Sequence, residues 1–267
     1  MFVKPFMLIL LLSLPVFQPT GDIFTSHDKH GTKQKKNEPA YTKEQQEKLR
    51  QAEKAADHFV NRWRETLDLN ILFDELYVTD PARRQRNILL FCDVYVFMNP
   101  ERGCRELIGK VDNETLKRGF FGFWNLVYMQ TDYDLAFSKP EDYDSPTPPG
   151  FEILEEEFEA VEKKYGESGP RSGQIRQFVL DITSTYEKMN ALYRRNISLE
   201  MFTSARYKEN YQREYAKYDD SEILNDGLNK FSAKPGEVIY RVKRGEFELF
   251  FVKEAGQFKV LTIGYEL

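Results

Sequence analysis

The stretch Glu237-Val238-Ile239-Tyr240-Arg241-Val242-Lys243 is followed by Arg244-Gly245-Glu246 and then by Phe247-Glu248-Leu249-Phe250-Phe251-Val252-Lys253. Glu254-Ala255-Gly256 comes next, and Gln257 to Tyr265 repeats the pattern. Runs rich in β-branched and aromatic residues, separated by short turns with Gly, predict strand, turn, strand, turn, strand. Residues 237–265 are therefore expected to form a three-stranded antiparallel meander. Such a sheet needs one face covered to be stable. The rest of the chain must supply the cover, and it reads as helices.

Working back from the meander, Ser198 is expected to cap a helix reaching about Tyr218. Ile175, Phe178, Val179, Ile182, Tyr186, Met189 and Tyr193 recur at helical spacing. Phe151, Leu154, Phe158 and Val161 form another stripe, and the intervening Glu155–Glu162 run reads as its solvated face. Residues 138–150, with Pro140, Pro146, Pro148, Pro149 and Gly150, read as a loop, and Gly166 to Gly173 as a second break. Asn113-Glu114-Thr115 opens a helix carrying Leu116, Phe120, Phe123, Trp124, Val127 and Tyr128. Asp80-Pro81 looks like an N-cap followed by proline in the first turn. The apolar run Ile88 to Met98 suits a buried helix or a buried strand. The cap and the length from Pro81 favour helix. Thr42-Lys43-Glu44-Gln45 fits a capping box at the head of a long amphipathic helix with Leu49, Ala52, Ala56, Phe59, Val60, Trp63 and Leu67 inward. A short apolar segment, Leu69 to Val78, follows.

The first residues read differently. Lys4 precedes Met7-Leu8-Ile9-Leu10-Leu11-Leu12-Ser13-Leu14-Pro15-Val16-Phe17, which has the form of a secretory signal peptide. The run falls short of the roughly 20 apolar residues that cross a bilayer. The cleavage motif is weak, and an uncleaved anchor is the alternative. The expected organisation is residues 1–20 as signal peptide, 21–40 as a flexible polar linker, and 41–267 as a single α+β domain. Within that domain, 81–230 is a helical insertion and 237–265 the meander. The fold class is α+β, with a mainly helical body. Export makes the expected location periplasmic, cell-surface or secreted, with no integral membrane span after cleavage.

Composition excludes several functions. The chain has 267 residues and a net charge of −5. Loss of Lys4 with the signal takes that to −6. Acidity argues against a nucleic-acid partner. Two cysteines cannot build a four-thiolate zinc site, and three histidines leave little for a His-based centre. In an oxidising compartment Cys92 and Cys104 could pair, or Cys92 could pack as a small hydrophobe with Cys104 free. No Gly-rich phosphate loop, G-x-S-x-G or Cys–His pair is present. No cofactor and no metal is expected.

The residues that could carry chemistry each have a plainer reading. His58 has Lys54, Ala55, Asn61 and Arg62 as helical neighbours, so no carboxylate orients it, and it reads as a surface or half-buried side chain. Asp132-Tyr133-Asp134 and Asp142-Tyr143-Asp144 repeat a unit around a loop. They read as solvated loop carboxylates, with a Ca²⁺ site as the alternative. Tyr207, Tyr211, Tyr215 and Tyr218 line one helical face, either packed on the body or offered to a partner or carbohydrate. Asn113 and Asn196 stand in glycosylation sequons that also suit helix starts.

Val238 to Ile263, with Gly245, Phe247-Glu248-Leu249 and Gly256-Gln257-Phe258-Lys259-Val260-Leu261, resembles the closing strands of the nuclear transport factor two-like superfamily. Ala52 to Val78, with Phe59, Trp63, Leu69 and Leu72, resembles its long first and short second helices. Residues 81–230 depart from that pattern, reading as helical where the family has early strands. The resemblance implies either a non-catalytic binding module or a lyase, isomerase or hydrolase with Asp and His in a sheet pocket. The meander holds neither His nor Asp, so no catalytic residue carries over. The reading that follows is an exported, non-catalytic module for a protein or small ligand. The alternatives are a small-molecule enzyme of the superfamily type and a subunit of an extracytoplasmic assembly. A pocket with converging Asp, Glu or Tyr side chains and raised pKa values would favour the enzyme, and a solid apolar core with an exposed aromatic patch the module.

Overall fold

The computed structural model describes residues 41–90, 111–139, 147–166, 170–216, 219–224 and 234–264. The expected signal peptide, the linker, Cys92, Cys104, the Ile88–Met98 run beyond residue 90, Asp142-Tyr143-Asp144 and Tyr218 lie outside these residues. Seven α-helices and one four-stranded antiparallel sheet make up the described chain, a mainly helical α+β fold.

Helix α1 spans Lys43–Thr66 and starts at the capping box: Gln45 N–H donates to Thr42 Oγ1, and Thr42 N–H donates to Gln45 Oε1. It buries Leu49, Ala52, Ala56, Phe59 and Trp63 along one stripe. Leu67 ends it in the left-handed region, φ 49°, and two elements hold that corner. Arg194 donates to the Leu67 carbonyl, and the Leu69 N–H donates to buried Asn125. Helix α2, Leu69–Leu76, is capped by Asp68, and helix α3, Pro81–Leu90, by Asp80, whose carboxylate accepts from the Ala82 and Arg83 N–H groups.

Helix α4 spans Asn113–Phe137, α5 Phe151–Tyr165, α6 Ile175–Asn196 and α7 Ala205–Glu214. Helices α4 and α6 approach closely at Gly122, where an added Cβ would stand 3.3 Å from Tyr186 Cβ. Asn190 donates to the Gly122 carbonyl at 2.8 Å across the same contact. A glycine here lets two backbones meet with a buried amide as the tie.

The sheet runs β1 (Ser221–Leu224), β2 (Ile239–Arg244), β3 (Phe247–Glu254), β4 (Gln257–Gly264) in spatial order. The meander expected from sequence is present and gains a fourth strand. Ser221–Leu224 pairs with Val242–Ile239, so strand structure reaches into the 81–230 region read as helical. Four residues are too few to show a strand period. A bulge between Phe250 and Phe251 shifts the β3–β4 register. Both edges are partly occupied: Tyr41 Oη accepts from the Ile223 N–H, and the Val78 N–H donates to the Val260 carbonyl.

One sheet face packs on the helices. Tyr240, Val242, Phe247, Leu249, Phe251, Val260 and Ile263 join Phe59, Trp63 and Tyr128 in one core. Val78, Ile239, Phe250, Val252 and Leu261 form a second, smaller cluster. Arg83 ties α3 to the start of β2 by a two-pronged, largely buried pair with Glu237, N–O distances 3.1 and 2.7 Å.

The centre of the larger core is Phe247. Its ring lies 5.5 Å from Phe59, 5.9 Å from Trp63 and 4.4 Å from Tyr128, centroid to centroid. Phe247→Ala is expected to cost about 3–5 kcal/mol in urea unfolding, with the m-value unchanged.

Candidate functional site

Asp132 and Glu246 are the two carboxylates placed deep in the described fold, 1% and 8% exposed. Asp132 sits in the last turns of α4, inside the helix rather than in a loop. The solvated-loop reading of Asp132-Tyr133-Asp134 is thereby corrected. Asp132 extends the stripe Leu116, Phe120, Trp124, Tyr128 by one more step of four, so helical geometry carries it inward. That spacing is the signal in the sequence that could have found it. The carboxylate type pointed the other way.

Three elements converge on Asp132. Trp63 of α1 donates its indole N–H to one oxygen at 2.9 Å, and Tyr207 of α7 donates its hydroxyl to the other at 2.7 Å. Arg64, next to Trp63, places its guanidinium 5.4 Å from the Phe202 ring centroid and 5.8 Å from that of Tyr207. Glu246, in the turn between β2 and β3, completes the group. The turn is positioned from two sides. Gly245 takes φ 61°, and its N–H donates to Asp219 at 2.9 Å. The Tyr211 ring lies directly over it, so that an added Cβ would come within 2.7 Å of the ring and its hydroxyl.

Burial sets the proton chemistry. It pushes the Asp132 carboxyl up to about 6, against the lowering effect of the Trp63 and Tyr207 hydrogen bonds and of Arg64. Glu246 is raised well above the ordinary carboxylate value, first by burial and then by the charge of Asp132. Tyr207 and Tyr211 are also raised, chiefly by burial. Burial disfavours the charge of Arg64, but Tyr207, Asp132 and Glu246 outweigh it, and its pKa lies above the ordinary value. The cluster therefore combines one cation, two carboxylates and a phenol in a dry setting.

Besides Asp132, Tyr207 and Tyr211 are the sequence candidates that enter this cluster. His58 is exposed on α1, as expected. The tyrosine face packs on the body: Tyr207 is buried and Tyr211 and Tyr215 half-buried, with ring centroids 6.1 Å apart along the row. Its helix is shorter than expected. Ser204 rather than Ser198 caps it, after a 3₁₀ turn at Met201–Thr203, and it ends at Glu214. Asn113 lies one residue inside α4, where Asp112 is the cap and Asn113 bonds Gln85. Asn196 closes α6 instead of opening a helix, donating to the Leu192 carbonyl. The Glu155–Glu162 run is solvated only in part: Glu156 and Glu159 are exposed, whereas Glu155, Glu157 and Glu162 are half-buried, and burial raises the carboxyls of Glu155 and Glu162. Among the described residues no group of three or more His, Cys, Asp or Glu is arranged to hold a metal ion. No helix among them is long and apolar enough to cross a membrane.

No family model, curated protein or solved structure matches the chain.

Three substitutions probe the cluster. Tyr207→Phe removes a donor to a buried carboxylate and is expected to cost about 1.5–3 kcal/mol in urea unfolding, whereas Tyr211→Phe stays within about 0.5 kcal/mol. Gly245→Ala meets both the positive φ and the Tyr211 ring, and is expected to cost more than about 1 kcal/mol.

Proposed function

We propose that the chain is an exported, non-catalytic binding module of the nuclear transport factor two-like kind. The observation that carries this reading is the filled space between α1 and the sheet. Enzymes of that superfamily use such a concavity as a pocket. Here Phe247 meets Phe59, Trp63 and Tyr128 in ring contacts, and Leu249, Phe251 and Val260 are fully buried beside it. The long α1 laid on the sheet, followed by the short α2, supports the family likeness. The apolar run Met7–Phe17 supports export.

The buried acids favour the second reading, a small-molecule lyase, isomerase or hydrolase, because raised carboxylate pKa values gather at active sites. Against it, each oxygen of Asp132 already accepts a hydrogen bond from within the protein. A catalytic base needs a lone pair aimed at substrate.

Two measurements test the proposal. Expressed at full length in a host with a secretion pathway, the chain is expected outside the cytoplasm with the apolar leader removed. Full-length mass retained in the cytosol would overturn export. Titration with an apolar naphthalene sulfonate probe, followed by NMR at the Trp63 indole N–H, is expected to leave that signal unmoved. The Phe247→Ala variant, with a cavity beside Trp63, is expected to shift it. A saturable shift in the unmodified chain would reveal a pocket under the sheet and return the enzyme reading to first place.

A further inference from the structure

Two rows of rings meet at Asp132. On one side Trp63 donates its indole N–H to the carboxylate at 2.9 Å. Trp63 lies 5.7 Å from Tyr128, and Tyr128 lies 5.8 Å from Trp124, centroid to centroid. On the other side Tyr207 donates its hydroxyl to the second oxygen at 2.7 Å. Tyr207 lies 6.1 Å from Tyr211, and Tyr211 lies 6.1 Å from Tyr215. Each row starts in the dry core and ends on a half-buried ring, Trp124 or Tyr215. All six are of the two aromatic types that give up one electron readily. Packing alone asks only for bulk, which phenylalanine supplies elsewhere: the chain has 21 Phe against 2 Trp, and both tryptophans stand in this row.

The carboxylate against the buried phenol sets the chemistry. Tyr207 is 2% exposed. Burial, and then the charge of Asp132, keep its phenol protonated. A phenol that loses an electron becomes a very strong acid, so in a dry site the electron leaves readily only where a base can take the proton. Asp132 Oδ1 stands within hydrogen-bond reach to do so. The indole N–H of Trp63 faces the same carboxylate but is a far weaker acid than a phenol. Oxidation therefore comes to rest on Tyr207 rather than on Trp63.

We propose that this row carries single electrons through the fold, with Tyr207 as a redox-active tyrosine and Asp132 as its proton acceptor. A diffusing one-electron oxidant of the peroxyl-radical class takes an electron from Trp124 or Tyr215 and is reduced to its anion. The vacancy passes from ring to ring to Tyr207. There the phenolic O–H bond breaks and the proton moves to Asp132 Oδ1. A neutral phenoxyl radical remains, hydrogen-bonded to the new carboxylic acid. Trp63 keeps its bond to Oδ2 throughout, so α1, α4 and α7 stay in place. The Arg64 guanidinium, 5.8 Å from the Tyr207 ring, keeps the radical strongly oxidising, and an electron from a reductant at either end reverses each step. The row is a sink for oxidising equivalents, and it goes beyond the binding role without depending on it.

The test uses the full chain, with photogenerated tris(bipyridine)ruthenium(III) as oxidant and hexaamminecobalt(III) as the irreversible electron acceptor. Optical transients and electron paramagnetic resonance follow the radical. The unmodified chain is expected to give a neutral tyrosyl radical that outlives the radical of free tyrosine many-fold, because the site excludes water and other radicals. Its formation is expected to slow in heavy water. Electron–nuclear double resonance there is expected to show an exchangeable deuteron bonded to the phenoxyl oxygen. Tyr207→Phe is expected to lose the long-lived signal. The double variant Trp124→Phe, Tyr211→Phe leaves Tyr207 and Asp132 in place but closes both entrances, and is expected to lose most of the yield. Tyr133→Phe, outside the row, is expected to leave the yield unchanged. A long-lived signal retained in Tyr207→Phe, an undiminished yield in the double variant, a persistent tryptophanyl radical, a phenoxyl without an exchangeable deuteron, or a loss in Tyr133→Phe as large as in the double variant would overturn the proposal. Should Tyr207→Phe fail to fold, the double variant decides, since neither of its changes touches the carboxylate.

Discussion

Trp63 and Tyr207 reach the same buried carboxylate from opposite sides, and the packing of α1, α4 and α7 depends on that meeting. A carboxylate so deep is costly unless its oxygens are engaged. Both are, by donors from helices far apart in sequence. Truncating a neighbouring aromatic leaves a cavity, whereas removing one donor leaves a charge partly unsatisfied, a different kind of loss. The hydrogen-bonded group therefore specifies how the helices are oriented, while the surrounding rings supply most of the buried apolar area.

The aromatic residues work as one connected layer. Phe247 links the sheet to Phe59 and Trp63 of α1 and to Tyr128 of α4, and Tyr133 and Phe151 meet Tyr193 of α6 farther along. Edge-on ring contacts are frequent in this layer, the arrangement that aromatic quadrupoles prefer. At the α1–α2 corner the layer gives way to polar ties, where Arg194 and Asn125 satisfy backbone groups that a left-handed helix end would otherwise leave exposed.

Much of the fold was legible because its signals are local. The Thr42 capping box, the Asp80–Pro81 start and the Gly-bearing turns of the meander each lie within a few residues, and each is found where it was read. The first strand was missed because Ser221–Leu224 is four residues long and owes its conformation to pairing with β2. The start of α7 was placed at the wrong serine because a 3₁₀ turn intervenes, and Ser198 and Ser204 are equally good caps in isolation. The site was less legible. Asp132 carried the right helical spacing but the wrong residue type for a core. Glu246 stood in a turn, where carboxylates ordinarily meet water.

The sequence by itself determined the helix starts, the apolar stripes, the C-terminal meander and the scarcity of metal- and cofactor-binding side chains, because these depend on neighbours within a turn or two of chain. Only the tertiary structure decided what Asp132 and Glu246 are. Their protonation depends on burial and on Trp63, Arg64, Tyr207 and Asp219, which come from other elements. The energy of a charge is set by the medium and partners around it, and these exist only once the chain has folded.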